Sequence, residues 1–492
     1  MKLERIPLDL EERSRRVLEE LNSGARLGFI TSLDGRQLIT SLIWPESGKV
    51  QCFETPIDGD DYPSMSARIP QAHWFERTTW DMFGLYPKGH PRLKHTHLHE
   101  PYEDMPPPLS NHANPPVTRA YNFLQVKGEG VYEIPVGPIH AGIIEPGHFR
   151  FSCYGEVIAN LEIRLGYVHR GVEKRLTEVP WRQSRFVAEA AASDMPIANA
   201  LANASALESM FQVEIPRRAS LLRTIAAETE RLAMHISDLS GLATDVGFLG
   251  VSSSFSRLRG AALGVGDLLS GNRFMRGFVC PGGVTRKLES QTVQKLKDAL
   301  RRLKHQLKPV IDMYLNNQVA IDRMEGIGRI SQKLALDFGL VGVAARACGI
   351  NYDCRKFSDY ATFPDSRFAV SIERTGDILA RGLIRVQETN TSLDLIFRAI
   401  EELDAVSSDS TRATLPENLP ANATAMSIVE SHRGELIHFI STDEAGRISR
   451  YYVKDPSVNN WTALAIAVRS HVVADFPLCN KSFSLSYSGH DL

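Results

Sequence analysis

Titratable residues are closely spaced in the stretch between Tyr132 and Lys174. The end of this stretch, GYVHRGVEK, places His169, Arg170 and Glu173 within five residues. Imidazole, guanidinium and carboxylate groups this close together can transfer protons or hold a charged ligand. A polar loop with internal salt bridges would give the same pattern, so the residues alone leave both interpretations open.

Short apolar runs would position these groups. The segments YEIPV and HFRF alternate apolar and polar residues, which predicts two β-strands. Gly137-Pro138 and Pro146-Gly147 predict turns beside them. These turns carry His140, Glu145 and His148. The pattern therefore places further titratable groups at the ends of short strands.

Composition limits the possible functions. The chain has 492 residues, of which 43% are hydrophobic and 23% charged, as in a globular protein of two or three domains. A formal net charge of −2 gives no indication of nucleic-acid binding. No run reaches about 18 apolar residues, and the charged N-terminal segment lacks a signal-peptide core. We expect a chain on the cytoplasmic side that reaches a membrane only through partner subunits.

Residues 1–99 have the pattern of a small α/β domain. Glu11–Leu21 has helical spacing of its apolar residues. Arg26–Ile43 predicts a strand, a turn and a second strand, and Val50–Thr55 predicts another strand.

A stiff linker and a larger domain are expected to follow. Residues 100–118 contain six prolines among polar residues, which predicts an extended linker. Residues 119–492 are expected to be mainly α-helical with short β hairpins, so the predicted fold class is α+β. Four of their stretches have helical spacing: Glu189–Met210, Arg218–Gly241, Glu289–Asn316 and Ser392–Val406.

Three histidines alternate before the linker, at His95, His97 and His99. On a strand they would share one face, as ligands of a metal ion do. No further ligand or supporting acceptor is evident nearby, so a solvated loop is favoured over a metal site.

Several segments resemble a known family. GPIH, GHFRF and GYVHRGVEK resemble the D-type subunit of respiratory complex I. They resemble more closely the large subunit of membrane-bound, energy-converting nickel–iron hydrogenases, including formate hydrogenlyase. WFERTTWDMFGLYPKGHPRLKH, residues 74–95, resembles the signature of the complex I C-type subunit. The resemblance implies a C-type docking domain fused to a hydrogenase-like large subunit.

A further segment, RACGINYDCRK at residues 346–356, resembles a motif of the same family. It could form a structural turn, or it could direct Arg346 or Arg355 toward the site.

The nickel–iron centre of these hydrogenases needs four thiolates from two CxxC pairs. By the resemblance, the first pair falls on Ala192 and Met195, and the second on Leu478 and Lys481. Cys479 lies alone between the latter two. We expect no nickel–iron centre, no metal ligands and no cofactor held permanently by this chain.

Complex I uses the corresponding cavity for quinone, and the resemblance implies candidate residues for it. His148 matches the histidine that meets the quinone headgroup, and Asp245 matches its carboxylate partner. Such a pair could protonate a reduced quinone near neutral pH. Ser193 replaces the family's tyrosine, and Asp194 adds a carboxylate. His169, Arg170 and Glu173 would support this site or transfer protons.

The resemblance implies a peripheral subunit of a membrane-bound, ion-translocating oxidoreductase complex. It would pass electrons from a small iron–sulfur subunit to a quinone-like acceptor, and contact integral antiporter-like and anchor subunits. A non-catalytic scaffold that couples motions to the membrane arm is the alternative. An active hydrogenase is least consistent with the ligand positions. Electron donor, acceptor and transported ion stay open.

Overall fold

The computed structural model describes residues 1–100, 105–110, 120–140, 144–358, 368–406 and 410–492. Within them the chain forms an N-terminal α/β module and a larger module of helices and three small sheets. The predicted α+β class is thereby confirmed. None of the described helices is long and apolar enough to cross a bilayer. Most of the predicted linker, 100–118, lies outside the described residues.

The N-terminal module contains, in its described part, these elements in chain order: β1 (Arg5–Pro7), α1 (Leu10–Asn22), β2 (Arg26–Ser32), β3 (Gln37–Ile43), β4 (Val50–Pro56), β5 (Asp61–Pro63), α2 (His73–Phe83) and β6 (Tyr86–Lys88). The sheet order is β1-β4-β3-β2, with β1 parallel to β4 and the other pairs antiparallel. Helix α1 begins where the Asp9 side chain accepts a hydrogen bond from the Glu12 amide at 2.8 Å. The predicted helix and strands of this module are confirmed.

Helices dominate the second module. Their described bounds are α3 (Val172–Glu178), α4 (Ser184–Glu189), α5 (Pro196–Phe211), α6 (Arg217–Asp245), α7 (Leu249–Ser270), α8 (Ser290–Leu315), α9 (Gln318–Asp322), α10 (Gln332–Asp337), α11 (Gly342–Arg346), α12 (Ile378–Ala405), α13 (Pro456–Ala467), α14 (Phe476–Phe483) and α15 (Tyr487–His490). The prediction of one helix from Glu189 to Met210 is wrong. Helix α5 begins at Pro196, because the first turn of a helix is where a residue without an N–H group is tolerated. The residues just before Pro196 are therefore not part of that helix.

The strands of this module form small antiparallel sheets. Their bounds are β7 (Val131–Val136), β8 (His148–Tyr154), β9 (Val157–Arg164), β10 (Val279–Cys280), β11 (Gly283–Val284), β12 (Thr424–Ser431), β13 (Gly434–Thr442) and β14 (Ile448–Lys454). Strands β7-β8-β9 form one meander and β12-β13-β14 another. The β12–β14 sheet is buried on both faces, and no sequence pattern had indicated it.

The β12–β14 sheet joins the two modules. One face packs on the helices, with Leu436 and Ile440 in the large core. The other face packs on the N-terminal sheet, where the Phe29 ring lies 5.5 Å from Phe439 and 4.8 Å from Tyr452, measured between ring centroids. The N-terminal module therefore forms one continuous apolar contact with the larger module.

The histidine segment lies in the same junction. His95 and His97 are buried, so the expectation of a solvated loop is wrong. Asp81 holds the loop by accepting amide hydrogen bonds from Thr96, His97 and Leu98 at 2.7–3.1 Å. The imidazoles make hydrogen bonds of their own, including His97 Nε2 with the His490 carbonyl at 3.0 Å. They connect the modules.

Candidate functional site

A cavity of about 720 Å³ lies between α6, α7, the loop before α5 and the C-terminal tail. Helices α6 and α7 supply one wall, with side chains from Met234 to Thr244 and from Ser252 to Arg259. The tail from Asn480 to Ser488 supplies the opposite wall, and Ile144 and Glu145 contribute from the loop before β8. Glu145 accepts a hydrogen bond from the Ser488 amide at 3.0 Å, which joins that loop to the tail.

Serine and threonine form the largest group of residues in the lining of this cavity. They are Ser193, Ser237, Ser240, Thr244, Ser252, Ser256, Ser484, Ser486 and Ser488, and Tyr487 adds a phenol hydroxyl. Ser240 and Ser256 lie 2.8 Å apart between their Oγ atoms, and Thr244 Oγ1 lies 2.6 Å from Ser252 Oγ. Small hydroxyl residues on facing helices let the backbones approach closely while presenting donors and acceptors to the cavity. The lining therefore offers hydrogen-bond donors and acceptors to an occupant.

Ion pairs border the cavity. Both Nη atoms of Arg433 donate to the Asp194 carboxylate, at 2.8 and 2.7 Å. Burial alone would raise the pKa of Asp194, but the Arg433 guanidinium outweighs it and holds the pKa well below its usual range. Asp238 accepts from Arg385 Nε at 2.9 Å and from Ser484 Oγ at 2.9 Å. Asp194 and Asp238 are thus each paired with an arginine.

Two of the predicted site residues, Ser193 and Asp194, line the cavity. Asp245 lies at its edge, where it accepts from Lys481 Nζ at 2.5 Å. The predicted pair of His148 with Asp245 is not formed in the structure. Asp245 is bonded to Lys481 instead.

His148 lies on another face of the hairpin. Strand alternation places Phe149 toward the core, 4.9 Å from Phe476 between ring centroids, and therefore turns His148 to the opposite face. There His148 Nδ1 is 3.3 Å from the Gly137 carbonyl, and its ring lies 5.3 Å from Phe123. Burial lowers the pKa of His148.

Arg170 and Glu173 hold the surroundings of the cavity together. Arg170 donates to the carbonyls of Ala190 and Ala191 at 2.8 Å, just before Ser193. Glu173 accepts from the Val453 amide at 3.1 Å and pairs with Arg450 at 2.8 Å, which joins α3 to β14. These contacts join α3 to the chain before α5 and to β14.

His169 lies between Arg170 and the histidine segment. Its ring is 5.4 Å from the His97 ring between centroids. Its Nδ1 atom is buried and has no hydrogen-bond partner among the described residues. It does not line the cavity.

The side chains at the cavity do not fit a nickel–iron centre. Ala192 and Met195 are fully buried and carry no thiolate, and Lys481 places an ammonium group where a cation would bind. Cys479 is buried away from the lining, and its Sγ atom lies against Gly328. No described set of residues replaces the missing thiolates.

Arg346 and Arg355 of the RACGINYDCRK segment do not reach the cavity. Arg346 lies 2.7 Å from both Glu388 and Glu430, and Arg355 lies 2.6 Å from Asp353. All five side chains are buried. The segment is therefore a structural turn held by a buried ion-pair cluster.

Arg433 is the principal cavity residue that sequence reasoning missed. It follows β12 in the turn SHRGE. Gly434 after it has φ +132° and packs against the Gly342 backbone, an approach that a Cβ atom would obstruct. No sequence signal indicated Arg433, because neither of the strands beside its turn was predicted.

Comparisons with known proteins agree with this architecture. Residues 245–491 match the family model of the respiratory-chain NADH dehydrogenase 49 kDa subunit, and residues 31–115 match that of the 30 kDa subunit. Hydrogenase-4 component G of Escherichia coli K12 is 30% identical over 444 residues, which cover 88% of this chain and 76% of that protein. The chain belongs to the 49 kDa subunit family.

A second relative and a solved structure are also similar to this chain. Formate hydrogenlyase subunit 5 of Escherichia coli K12 is 28% identical over 475 residues, covering 93% of this chain and 82% of that protein. The solved structure of the membrane-bound sulfane sulfur reductase, an archaeal respiratory membrane complex, matches with a TM-score of 0.69 at 24% identity. The match covers 74% of this chain and 99% of the compared one, and it shows the shared fold.

Proposed function

We propose that this 49 kDa family member passes electrons from a small iron–sulfur subunit to an acceptor held in the hydroxyl-lined cavity. The cavity itself carries the proposal. It is large enough for a small molecule, and Ser193 and Asp194 of the predicted site line it. Its wall combines hydroxyl donors with the charges of Arg433 and Lys481.

We propose a small polar acceptor, and the hydroxyl groups and ion pairs of the wall support this choice. Serine hydroxyls and ion pairs hold polar or anionic molecules, whereas apolar tails need apolar walls. The structural neighbour is named for sulfane sulfur, whose polysulfide anions have this polar chemistry. Two electrons and one proton would cleave one S–S bond, releasing hydrosulfide and a polysulfide shorter by one sulfur atom.

We further propose that this chain binds no nickel–iron centre and evolves no hydrogen. The support is the replacement of the thiolate positions by Ala192, Met195, Leu478 and Lys481. The chain would be a peripheral subunit on the cytoplasmic side of its complex, beside integral antiporter-like and anchor subunits. The structural neighbour belongs to an archaeal respiratory membrane complex, which supports membrane partners.

The test uses the purified complex with its iron–sulfur partner reduced beforehand. Reoxidation of the cluster is followed by its absorbance after adding inorganic polysulfide or, separately, a short-chain quinone. In Ser193→Phe the aromatic ring would occupy the cavity, and we expect reoxidation to slow at least tenfold. Ser253→Phe, on an exposed position of α7 outside the lining, is the matched control and should react like the wild type.

Testing polysulfide and quinone separately distinguishes the possible acceptors. Reoxidation by polysulfide, lost in Ser193→Phe, would support the polar acceptor. Reoxidation by quinone alone would assign the site to quinone. Equal rates in Ser193→Phe and the wild type would remove the cavity from the reaction.

A coupling scaffold without its own redox reaction is the second candidate. It is favoured by one observation: the carboxylates of Asp194, Asp238 and Asp245 are already paired with cations. Such a network can transmit movement between the C-terminal tail and α6. Assembly of a complex that no acceptor reoxidises would support this candidate over the first.

A further inference from the structure

A second cavity, of about 390 Å³, lies between the two modules on the side of α2 and α13. The N-terminal module contributes His73, Trp74 and Arg77, and the larger module contributes Trp461 and Arg469. Residues from both family matches therefore build its wall. Its volume is in the range of pockets that hold small organic molecules.

Positive charge at this wall exceeds negative charge. Three guanidinium groups line the cavity, those of Arg77, Arg92 and Arg469, against the single carboxylate of Glu162. That carboxylate is already engaged, because it lies 2.5 Å from Lys94 Nζ and 3.1 Å from Arg92. One carboxylate charge at this wall therefore faces three guanidinium groups and the Lys94 ammonium group.

The remaining arginines have no carboxylate partner within the described ranges. Arg77 is buried and donates only to the backbone carbonyls of Lys94 and His95, at 2.7 and 3.2 Å. Arg469 donates to the Asn160 amide oxygen at 2.9 Å. Partial burial first, and then repulsion by Arg92, lower the pKa of Arg469, whose side chain is exposed. Arg77, in contrast, is buried, and a buried guanidinium without a hydrogen-bonded counter-charge is costly. An anion bound between Arg77 and Arg469 would relieve that cost.

Flat apolar side chains complete the wall. Trp74 lies beneath the Arg77 guanidinium, 4.3 Å from Cζ to the ring centroid, and Tyr121 and Trp461 are further lining residues. His73 is neutral, since burial lowers its pKa well below the usual range. Aromatic faces beside arginine forks suit a ligand with an acidic group on a flat apolar body.

We propose that this cavity between the modules, which we call the junction cavity, binds a small organic anion with one phosphate or carboxylate group and an aromatic-sized apolar body. The acidic group would bind Arg77 and Arg469, and the body would pack on Trp74 and Tyr121. Because the wall needs both modules, bound ligand stabilises their contact by mass action. This binding is independent of the redox reaction proposed for the hydroxyl-lined cavity.

Titration calorimetry on the purified complex tests the proposal, with phenyl phosphate as the probe. Inorganic phosphate supplies the charge alone, and benzyl alcohol supplies the ring alone. We expect saturable binding of phenyl phosphate, at least tenfold tighter than either part, and a rise in the thermal midpoint. In Arg469→Gln the affinity should fall about tenfold, which corresponds to ~1.4 kcal/mol.

The control is Arg301→Gln, on the exposed surface of α8 and far from the lining. It should bind phenyl phosphate like the wild type. Three results would overturn the proposal: no binding to the complex, equal affinity in Arg469→Gln, or equal affinity for inorganic phosphate, which would show an adventitious ion only. Binding to the full chain alone, lost in the complex, would assign the cavity to a partner's acidic segment instead.

Discussion

At the scale of single residues, Glu230 is the carboxyl group whose surroundings predict a measurable pH dependence. It is buried in α6 and accepts hydrogen bonds from the Ile197 and Ala198 amides at 2.7 and 3.1 Å. Burial raises its pKa to about 8, despite these two bonds. An unfolded glutamate has a pKa of about 4.3. The folded state therefore binds this proton more tightly than the unfolded state.

The sign of the effect follows from that difference. Protonated Glu230 adds to the free energy of unfolding. This contribution is fully present below pH ~4.3 and is lost as pH rises through about 8. In Glu230→Gln this loss should disappear, because the amide does not titrate. We expect the wild type to lose up to ~4 kcal/mol relative to the variant between pH 5 and 9.

Thermal unfolding midpoints measured across that pH range check this prediction. Glu401→Gln, on the exposed face of α12, serves as the control and should keep the wild-type pH profile. Parallel pH profiles of Glu230→Gln and the wild type would contradict the assignment.

The candidate site was only partly predictable from single residues. Ser193 and Asp194 were placed by counting from the GYVHRGVEK segment, and both line the hydroxyl-lined cavity. The predicted contact of His148 with Asp245 was wrong. The face of the sheet on which a side chain lies changes with every residue, and the packing of neighbouring elements decides which face becomes buried. Phe149 takes the core position, so its neighbour His148 is turned away.

At the scale of elements, α12 depends on its N-terminal aspartate. Asp377 accepts a hydrogen bond from the Ala380 amide at 2.8 Å with one oxygen and from the Gly326 amide at 2.9 Å with the other. Thr375 Oγ1 also donates to this carboxylate, at 2.9 Å. Removing the side chain therefore leaves the buried Ala380 amide unsatisfied and breaks two further, partly exposed hydrogen bonds. We expect Asp377→Ala to lower the free energy of unfolding by ~2–3 kcal/mol.

The matched variant is Asp9→Ala, which removes the exposed cap of α1 and one hydrogen bond. Urea unfolding followed by circular dichroism should show a smaller loss there, ~1 kcal/mol. Equal losses in both variants would mean that the contact with Gly326 contributes nothing.

Element prediction succeeded where periodicity was regular. The apolar stripes of α6 and α8 were found within a few residues of their observed ends. The β12–β14 sheet was missed because both of its faces are buried, which removes the alternation that identifies a strand. Glu430 and Glu435 also interrupt its apolar pattern, and only the folded structure shows the cations that pair with them.

At the scale of the whole molecule, the fused arrangement depends on the contact between the N-terminal sheet and β12–β14. That contact combines the Phe29 cluster with an ion pair between Arg26 and Glu435, 2.6 Å apart. The sequence predicted two modules and a linker. It could not predict their packing, because contacts between residues some 400 positions apart leave no local pattern.

Phe29→Ala tests whether the modules hold together through this contact. Phe29 is fully buried against Phe439 and Tyr452, so truncation removes apolar contacts and leaves a cavity at the centre of the junction. We expect a loss of ~3–5 kcal/mol in unfolding free energy, and faster protease cleavage between the modules than in the wild type.

Phe186→Ala is the control for that variant, since Phe186 is 52% exposed on α4 and contacts Arg185 at the surface. Its midpoint and cleavage pattern should stay close to the wild type. If Phe29→Ala instead unfolds with an unchanged midpoint and no cleavage between the modules, the ion pairs and the histidine segment must suffice for the junction. The contacts of Phe29 with Phe439 and Tyr452 would then not be required to hold the modules together.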